Sequence, residues 1–257
     1  MIIPFLVAAL TFNAYTDIES AYICRGYVWD SKPFNAQYAD IGFDAGAFGH
    51  LEGYVWAMNA LTSRGHSTSM RNAYNEVDYG LRYTYNIKFN DDFTLANTFI
   101  RQWVTNPGVR HGGHSAIDWQ FLQTLKNPYI TPYWRIRYFR RPFTGTYYCA
   151  GLKRSFELTE RLSLTLDAFA DFGNRSHFRH LFGTNPEHPG RDYHAGAHAV
   201  NFVARIDYAL TEYFGVYAFA GAFSLVDNDA RRTVKAQDLE ESKRDLFYGG
   251  AGVKVQF

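Results

Sequence analysis

The segment from Asp245 to Phe257 reads DLFYGGAGVKVQF, and its residues alternate between two kinds of position. The odd-numbered positions from Phe247 to Phe257 are apolar or small, whereas the even-numbered positions include Tyr248, Lys254 and Gln256. Successive side chains of a β-strand point to opposite faces. This period of two therefore predicts a strand with one apolar face and one polar face.

Segments of the same kind recur upstream, each bounded by Gly, Pro, Asn or Asp. About twelve strands are predicted, over 18–29, 35–44, 50–61, 75–87, 93–104, 115–125, 129–139, 145–158, 162–173, 198–210, 213–225 and 245–257. A strand rises about 3.3 Å per residue, so about eleven residues tilted near 45° cross an apolar band of about 25 Å. The strand length matches a membrane.

The stretch LSLTLDAFADF, from Leu162 to Phe172, shows the two faces most clearly. Its even positions are Leu, Ala or Phe and would contact lipid, while Asp167 and Asp171 share the odd positions and would face the barrel interior. The third, fifth and eleventh segments are ambiguous. In the fifth, Arg101 and Trp103 share a face.

The connections between predicted strands fall into two classes. Those after even-numbered strands are short: AGAFG, KFNDD, KNP, TER and TE. Most of those after odd-numbered strands are long, with Asp30–Phe34 and Arg140–Thr144 as shorter exceptions. An up-and-down membrane barrel has tight periplasmic turns and longer extracellular loops, so the connections predict an all-β, antiparallel, transmembrane barrel.

The last segment, with alternating apolar residues and a final Phe257, resembles the insertion signal of bacterial outer-membrane β-barrel proteins. The sorted connections extend this resemblance over nearly the whole chain, which is similar to small porins without pointing to one subfamily. The resemblance implies a bacterial outer-membrane location, contact with outer-membrane lipid and recognition of the C-terminal strand by the barrel-assembly machinery. A soluble lipocalin-like barrel is the alternative, but such barrels usually have eight strands.

Composition limits the other function classes. The formal net charge of the 257 residues is +1, so no nucleic-acid partner is expected. The longest apolar run, Ile2–Leu10, is too short for a spanning helix. Residues 1–14 are interpreted as a signal-peptide remnant or an N-terminal segment, and 15–257 as a single barrel domain. Cys24 and Cys149 fall on non-neighbouring predicted strands, so both are expected to be unpaired.

Charged residues on the polar faces are the candidate lining of a solute path. They are Arg25, Asp40, Asp78, Arg82, Asp118, Arg135, Arg137, Lys153, Asp167, Asp171, Arg205, Asp207 and Lys254. Charges inside a barrel of this size are tolerated where they are paired or hydrated. The set fits either a salt-bridged plug or a selectivity lining.

Arg135 and Arg137 lie two residues apart in YITPYWRIRYFRRPF and so share a face, with Arg140 and Arg141 at the outer end of the strand. Guanidinium groups bind carboxylates and phosphates bidentately, so the pair could guide an anionic solute. Alternatively, the two arginines pair with acids on flanking strands, such as Asp118 and Glu157.

Histidines concentrate in the predicted outer loops, with His177, His180, His188, His194 and His198 in one stretch. Their spacing matches no recognised zinc pattern, and no metal or other cofactor is predicted. The pairs His114-Ser115 and Ser176-His177 contain catalytic residue types. However, neighbours on a strand face opposite ways, and no enzyme motif accompanies them.

The leading functional hypothesis is a passive pore for small polar, and in particular anionic, solutes. An enzyme acting on outer-leaflet lipid and a structural or adhesive barrel with partner-binding loops are the alternatives. A barrel scaffold by itself does not separate them.

Overall fold

The computed structural model describes residues 9–61, 74–105, 116–141, 144–183, 193–237 and 243–257. Twelve antiparallel strands form one closed barrel, as the sequence predicted. They are β1 (Ala9–Glu19), β4 (Phe34–Asp44), β5 (His50–Ala60), β6 (Tyr74–Lys88), β7 (Thr94–Thr105), β8 (Ala116–Lys126), β9 (Thr131–Arg141), β10 (Gly145–Glu157), β11 (Leu162–Gly173), β12 (Gly196–Ala209), β13 (Phe214–Leu225) and β14 (Asp245–Gln256). Strands β2 (Tyr22–Cys24) and β3 (Tyr27–Asp30) form a separate hairpin.

The barrel closes between its first and last strands. Strand β1 pairs with β4 on one side and with β14 on the other. Beyond the last ladder pair, the backbone N–H of Phe257 donates to the carbonyl of Phe12 at 2.9 Å, and the N–H of Phe12 donates to the carbonyl of Phe257 at 3.1 Å. Closure leaves no unpaired sheet edge in this barrel.

The first strand lies upstream of its predicted position. The sequence predicted it at 18–29, but residues 9–19 form β1 and residues 22–30 form the β2–β3 hairpin. The predicted domain boundary at residue 15 therefore falls within β1. The predicted strand at 18–29 joined the end of β1 to this hairpin, whose arms of three and four residues are too short for a period of two to distinguish them from part of a wall strand. Residues 1–8 lie outside the described part, so the signal-remnant interpretation stays a prediction for them.

The short and the long connections lie at opposite ends of the barrel more consistently than the sequence suggested. The end of the barrel with short connections, here called the turn end, has them at 45–49, 89–93, 127–130, 158–161 and 210–213. Side-chain oxygens of Asn90, Asn127, Thr159 and Thr211 accept backbone N–H bonds two and three residues further on and so stabilise four of these turns.

The opposite end, here called the loop end, has one predicted short connection that proves long. The β1–β4 connection runs from residue 20 to residue 33 and contains the hairpin. The short β9–β10 connection remains an exception.

The two faces of the wall differ as predicted. Outward-facing Leu10, Ile18, Ile41, Leu81 and Phe99 are all more than half exposed. On β11, Asp167 and Asp171 bond to tyrosines across the interior, so the Leu162–Phe172 apolar face points outward. Inward glycines make room for rings: a Cβ at Gly80 would lie 2.8 Å from the Tyr54 ring.

Two helices lie at the loop end, α1 (Arg175–Phe182) and α2 (Asn228–Gln237). The Asn174 side chain caps α1 by accepting the N–H of His177, and Gly183 ends it with a φ of 65°. Neither helix, nor any other described helical segment, is long and apolar enough to cross a membrane.

Candidate functional site

Twelve of the predicted lining residues lie on barrel strands and face the interior. They are Asp40 on β4; Asp78 and Arg82 on β6; Asp118 on β8; Arg135 and Arg137 on β9; Lys153 on β10; Asp167 and Asp171 on β11; Arg205 and Asp207 on β12; and Lys254 on β14. The barrel brings six of them into two groups of contacts, and most of the others form separate bonds. Their role in a solute path stays a prediction.

The first group, here called the Arg137 cluster, joins neighbouring strands β6 to β9 toward the loop end of the wall. Arg137 donates to Asp118 at 2.9 Å, and the two side chains are only 8% and 0% exposed. Arg137 also donates to Gln102 at 2.9 Å, Gln120 bonds to both Gln102 and Asp118, and Gln102 donates to Asp78. Both members of this buried ion pair therefore have additional hydrogen-bond partners, which help to offset their loss of hydration.

The second group lies on the opposite wall, toward the turn end. Arg205 donates both Nε and Nη2 to Asp207 at 2.9 Å, and Lys254 donates to the same carboxylate at 2.6 Å. The Arg205 guanidinium lies 3.8 Å from the centre of the Tyr217 ring. Two cations thus share one carboxylate, so the group carries a net positive charge.

The remaining acids bond to neutral side chains or to one arginine. Asp40 accepts from Asn13 at 2.9 Å, Asp167 from Tyr133 at 2.9 Å, and Asp171 from Asn201 at 2.7 Å. Asp171 also accepts from Tyr147, and Arg82 pairs with Glu52, which accepts from Tyr38. These hydrogen bonds hold the charged side chains against the barrel wall.

Arg135 and Lys153 differ from the rest because no ion pair joins either cation to a carboxylate in the described residues. The Arg135 Nε has no hydrogen-bond partner. Lys153 is exposed and lies across from Asp167 in the β10–β11 ladder. Of the two predicted arginines on β9, Arg137 pairs with Asp118 as the alternative hypothesis expected. Arg135 forms no ion pair with a described carboxylate, but Asp167 and Asp171 lie near enough to interact with it electrostatically.

Arg25 is the one lining candidate that the structure moves off the barrel wall. It lies at the turn of the β2–β3 hairpin with a φ of 58°, followed by Gly26 at 72°. Its guanidinium lies 4.8 Å from the centre of the Phe139 ring, and its carbonyl accepts from His198 Nε2 at 3.1 Å. The prediction that Arg25 lines the lumen from a wall strand is wrong, because that strand is the inserted hairpin.

The hairpin and both helices pack together at the loop end in an apolar group, here called the loop-end cluster. Its buried members are Tyr27, Val28, Phe178, Leu181, Phe182, Tyr193, Ala199, Phe223, Leu225, Ala230 and Val234. Tyr27 and Val28 come from the hairpin, and Ala199, Phe223 and Leu225 come from the barrel wall. The described loop elements therefore fill this end of the interior.

His177 and Cys24 are buried in or beside these loop elements. His177 is 0% exposed, and its ring stacks on Phe139 with centroids 5.7 Å apart. Burial, with smaller contributions from His198 and Arg25, lowers the pKa of His177 to about 2, so the ring is neutral at ordinary pH. Burial also raises the pKa of the Cys24 thiol. Cys24 and Cys149 are both free thiols, as predicted.

The accessibility of the interior changes along the barrel axis. Toward the loop end, inward-facing Phe34, Ala36, Met58 and Phe139 are at most 1% exposed. Toward the turn end, inward-facing Lys153 and Ser155 are exposed. The interior is therefore closed by packing toward the loop end. Toward the turn end it is mixed, because Lys153 and Ser155 are exposed but Asp40 and Glu52 are only 6% and 7% exposed.

The other site hypotheses have less support in the described residues. No group of three or more His, Cys, Asp or Glu side chains there could hold a metal ion. In the pair Ser176-His177, Ser176 donates to the Thr144 carbonyl and His177 stacks on Phe139, so the two do not converge. His114-Ser115 and His188 lie outside the described residues.

Sequence reasoning missed the neutral partners of the charges, chiefly Tyr54, Gln102, Gln120, Tyr133 and Tyr147. Their inward parity was readable, because Tyr133 shares its face with Arg135 and Arg137. Asp17 was missed with β1 itself, although Tyr217 bonds to it.

Known structures share this architecture. An outer membrane channel from Pseudomonas putida F1 aligns over 100% of both chains with a TM-score of 0.55 and 10% identity. The KdgM porin in complex with disordered oligogalacturonate aligns over 96% of this chain and 99% of its own (TM-score 0.51, 9% identity), and the NanC porin over 97% and 100% (0.51, 9%). The chain has the fold of outer-membrane porins and channels. No family model and no curated protein sequence matches it.

Proposed function

We propose that the protein is a passive outer-membrane channel for small polar solutes, with anions favoured over cations. The observation that carries the proposal is the polar interior toward the turn end, where Lys153 is exposed and neither Lys153 nor Arg135 forms an ion pair with a described carboxylate. Cations that are not neutralised by the wall attract anions into a narrow aqueous path.

The membrane location is part of the proposal. Its support is the exposed apolar outer wall, the closed barrel and the likeness in fold to outer-membrane channels. The turn end would face the periplasm and the loop end the outside. Phe257 would then end the strand that the barrel-assembly machinery recognises, and outer-membrane lipid would cover the wall.

The loop-end cluster limits how such a channel could conduct. Tyr27, Phe178 and Phe182 pack against one another across the interior, with the Tyr27 and Phe182 rings 5.5 Å apart. A solute would pass beside these elements or after their displacement. The proposed channel therefore has a low conductance in the packed conformation.

Planar-bilayer recording tests the proposal. The purified full-length protein should insert and give small, discrete current steps, with a reversal potential in a potassium chloride gradient that indicates anion preference. Insertion without current at any voltage or pH, verified by protease protection of reconstituted protein, would refute the channel.

The filled loop end also favours one alternative, a closed barrel whose outer loops bind a partner. Under this alternative, the loop-end cluster is a permanent support for the outer surface. The same recording separates the two functions, because a permanently closed barrel with its hairpin in place passes no current.

A further inference from the structure

Arg101 is a charged residue on a largely apolar part of the outer wall. Arg101 on β7 points outward, and its guanidinium lies 4.9 Å from the centre of the Trp103 ring and 4.4 Å from that of Trp119. Its Nε is buried without a hydrogen-bond partner. Stacking on two indoles holds the guanidinium plane in place and leaves its other N–H groups as donors.

No acid on this part of the wall neutralises Arg101. The outward positions of β6, β7, β8 and β9 include no Asp or Glu, and no ion pair joins Arg101 to a described carboxylate. A charged side chain facing lipid at the middle of a bilayer costs about 2–4 kcal/mol, and less near the interface. An anion supplied by the membrane would offset that cost.

An apolar groove begins at Arg101. It has a volume of about 420 Å³ and is lined by Leu81, Phe99, Phe121, Ile136 and Tyr138 among others. Phe99 lies on the turn-end side of Arg101, and Trp103 lies on the loop-end side. Arg101 is four residues from Thr105, the loop end of β7, or about 9 Å in depth for a strand tilted near 45°. A headgroup would therefore sit above an acyl chain.

We infer that this groove binds an anionic lipid of the leaflet at the loop end. The lipid phosphate accepts hydrogen bonds from the Arg101 guanidinium between Trp103 and Trp119, and one acyl chain lies in the groove below. Guanidinium groups bind phosphate through paired donors, and tryptophan is enriched at the level of lipid headgroups. The inference rests on the proposed membrane location but not on conduction.

Quenching of tryptophan fluorescence by brominated lipids tests the site, because two of its three side chains are the reporters. The measurement uses the full chain with Trp134→Phe, which leaves Trp103 and Trp119 as the outward-facing indoles. The protein is reconstituted in mixtures of phosphatidylcholine and phosphatidylglycerol, with one or the other brominated. Brominated phosphatidylglycerol should quench at a several-fold lower mole fraction than brominated phosphatidylcholine.

Substitutions of Arg101 test whether this residue causes the preference for the anionic lipid. Arg101→Gln should abolish the preference for the anionic lipid, and Arg101→Lys should retain part of it, because the charge remains without the planar donors. Arg154→Gln is the matched control: Arg154 also faces outward, 4.8 Å from the Phe156 ring, but is exposed and lies toward the turn end. It should leave the preference unchanged.

Equal quenching by the two lipids, or a preference that survives Arg101→Gln, would overturn the inference. Heat-modifiable migration on gels verifies that each variant forms a barrel; if Arg101→Gln does not, Arg101→Lys decides. Loss of current in bilayers with an intact lipid preference would instead refute the channel alone.

Discussion

The two halves of the barrel interior are built on different principles. Toward the loop end, aromatic and aliphatic side chains of the hairpin, α1, α2 and the wall exclude water, and the Asp118–Arg137 pair on the wall there is enclosed. Toward the turn end, Lys153 and Ser155 are exposed, and the Arg205–Asp207–Lys254 group is partly hydrated. The two halves thus differ in how closely their charged side chains are enclosed, and each half should respond differently to mutation.

The largest effect is expected from breaking the enclosed ion pair. Asp118→Asn should lower the free energy of unfolding by about 3–5 kcal/mol, because it leaves the buried Arg137 charge without a counter-charge. Arg135→Gln, two residues away, should lower it by less than about 1 kcal/mol, because Arg135 has no ion pair to lose. Urea unfolding of barrels in lipid vesicles measures both. Equal losses would show that enclosure does not separate the two arginines.

Removal of the hairpin tests the packed half directly. Glu19 and Phe34 are ladder partners, so a short Gly-Ser link can replace residues 20–33 without separating β1 from β4. Single-channel current should rise several-fold, because Tyr27 and Val28 no longer occupy the loop end. Replacement of the β12–β13 turn, 210–213, by another short turn is the control and should change little. An unchanged current would place the constriction elsewhere.

Acid should weaken the packed half. While His177 is packed its pKa is about 2, but it returns toward the ordinary value of 6.5 once the loop elements are displaced. Below pH 6.5 the displaced state therefore binds a proton that the packed state excludes, and the packing loses stability as the pH falls. Current should rise between pH 7.5 and pH 5.

His177→Asn should reduce but not abolish this pH dependence, since it removes one titrating ring, while His180 on the same helix, whose pKa burial lowers to about 4, remains. A wild-type current that is constant over this pH range would contradict the expectation.

The smallest effect is expected in the hydrated half. Arg135→Gln should shift the reversal potential in a salt gradient modestly toward cation permeation, because one unneutralised positive charge leaves the path. Arg137→Gln with Asp118→Asn removes a charge pair of zero net charge and is the matched comparison. A larger shift from the double variant would assign selectivity to the Arg137 cluster.

Much of the fold was readable because it depends on local patterns. In strands such as β11, apolar and polar residues alternate regularly. Turns that contain Asn or Thr can be recognised from the sequence because these side chains bond to the turn backbone. The β2–β3 hairpin was not predictable, because its arms of three and four residues are too short to show a period, and its position depends on packing against residues such as Phe182. The parity of Arg135 and Arg137 was predictable, but which one is neutralised was not, since that depends on side chains brought in by β7 and β8.

The hydrogen bonds between Phe12 and Phe257 have a consequence for the order of assembly. These residues lie at nearly the largest sequence separation that the described chain allows, and every other wall ladder joins strands that follow one another along the sequence, apart from the inserted hairpin. Local hairpins can form as soon as both strands exist, whereas the seam must wait for the last residue and bears the greatest loop-closure entropy. Until β14 pairs with it, β1 presents an open strand edge, which is the kind of edge that promotes aggregation.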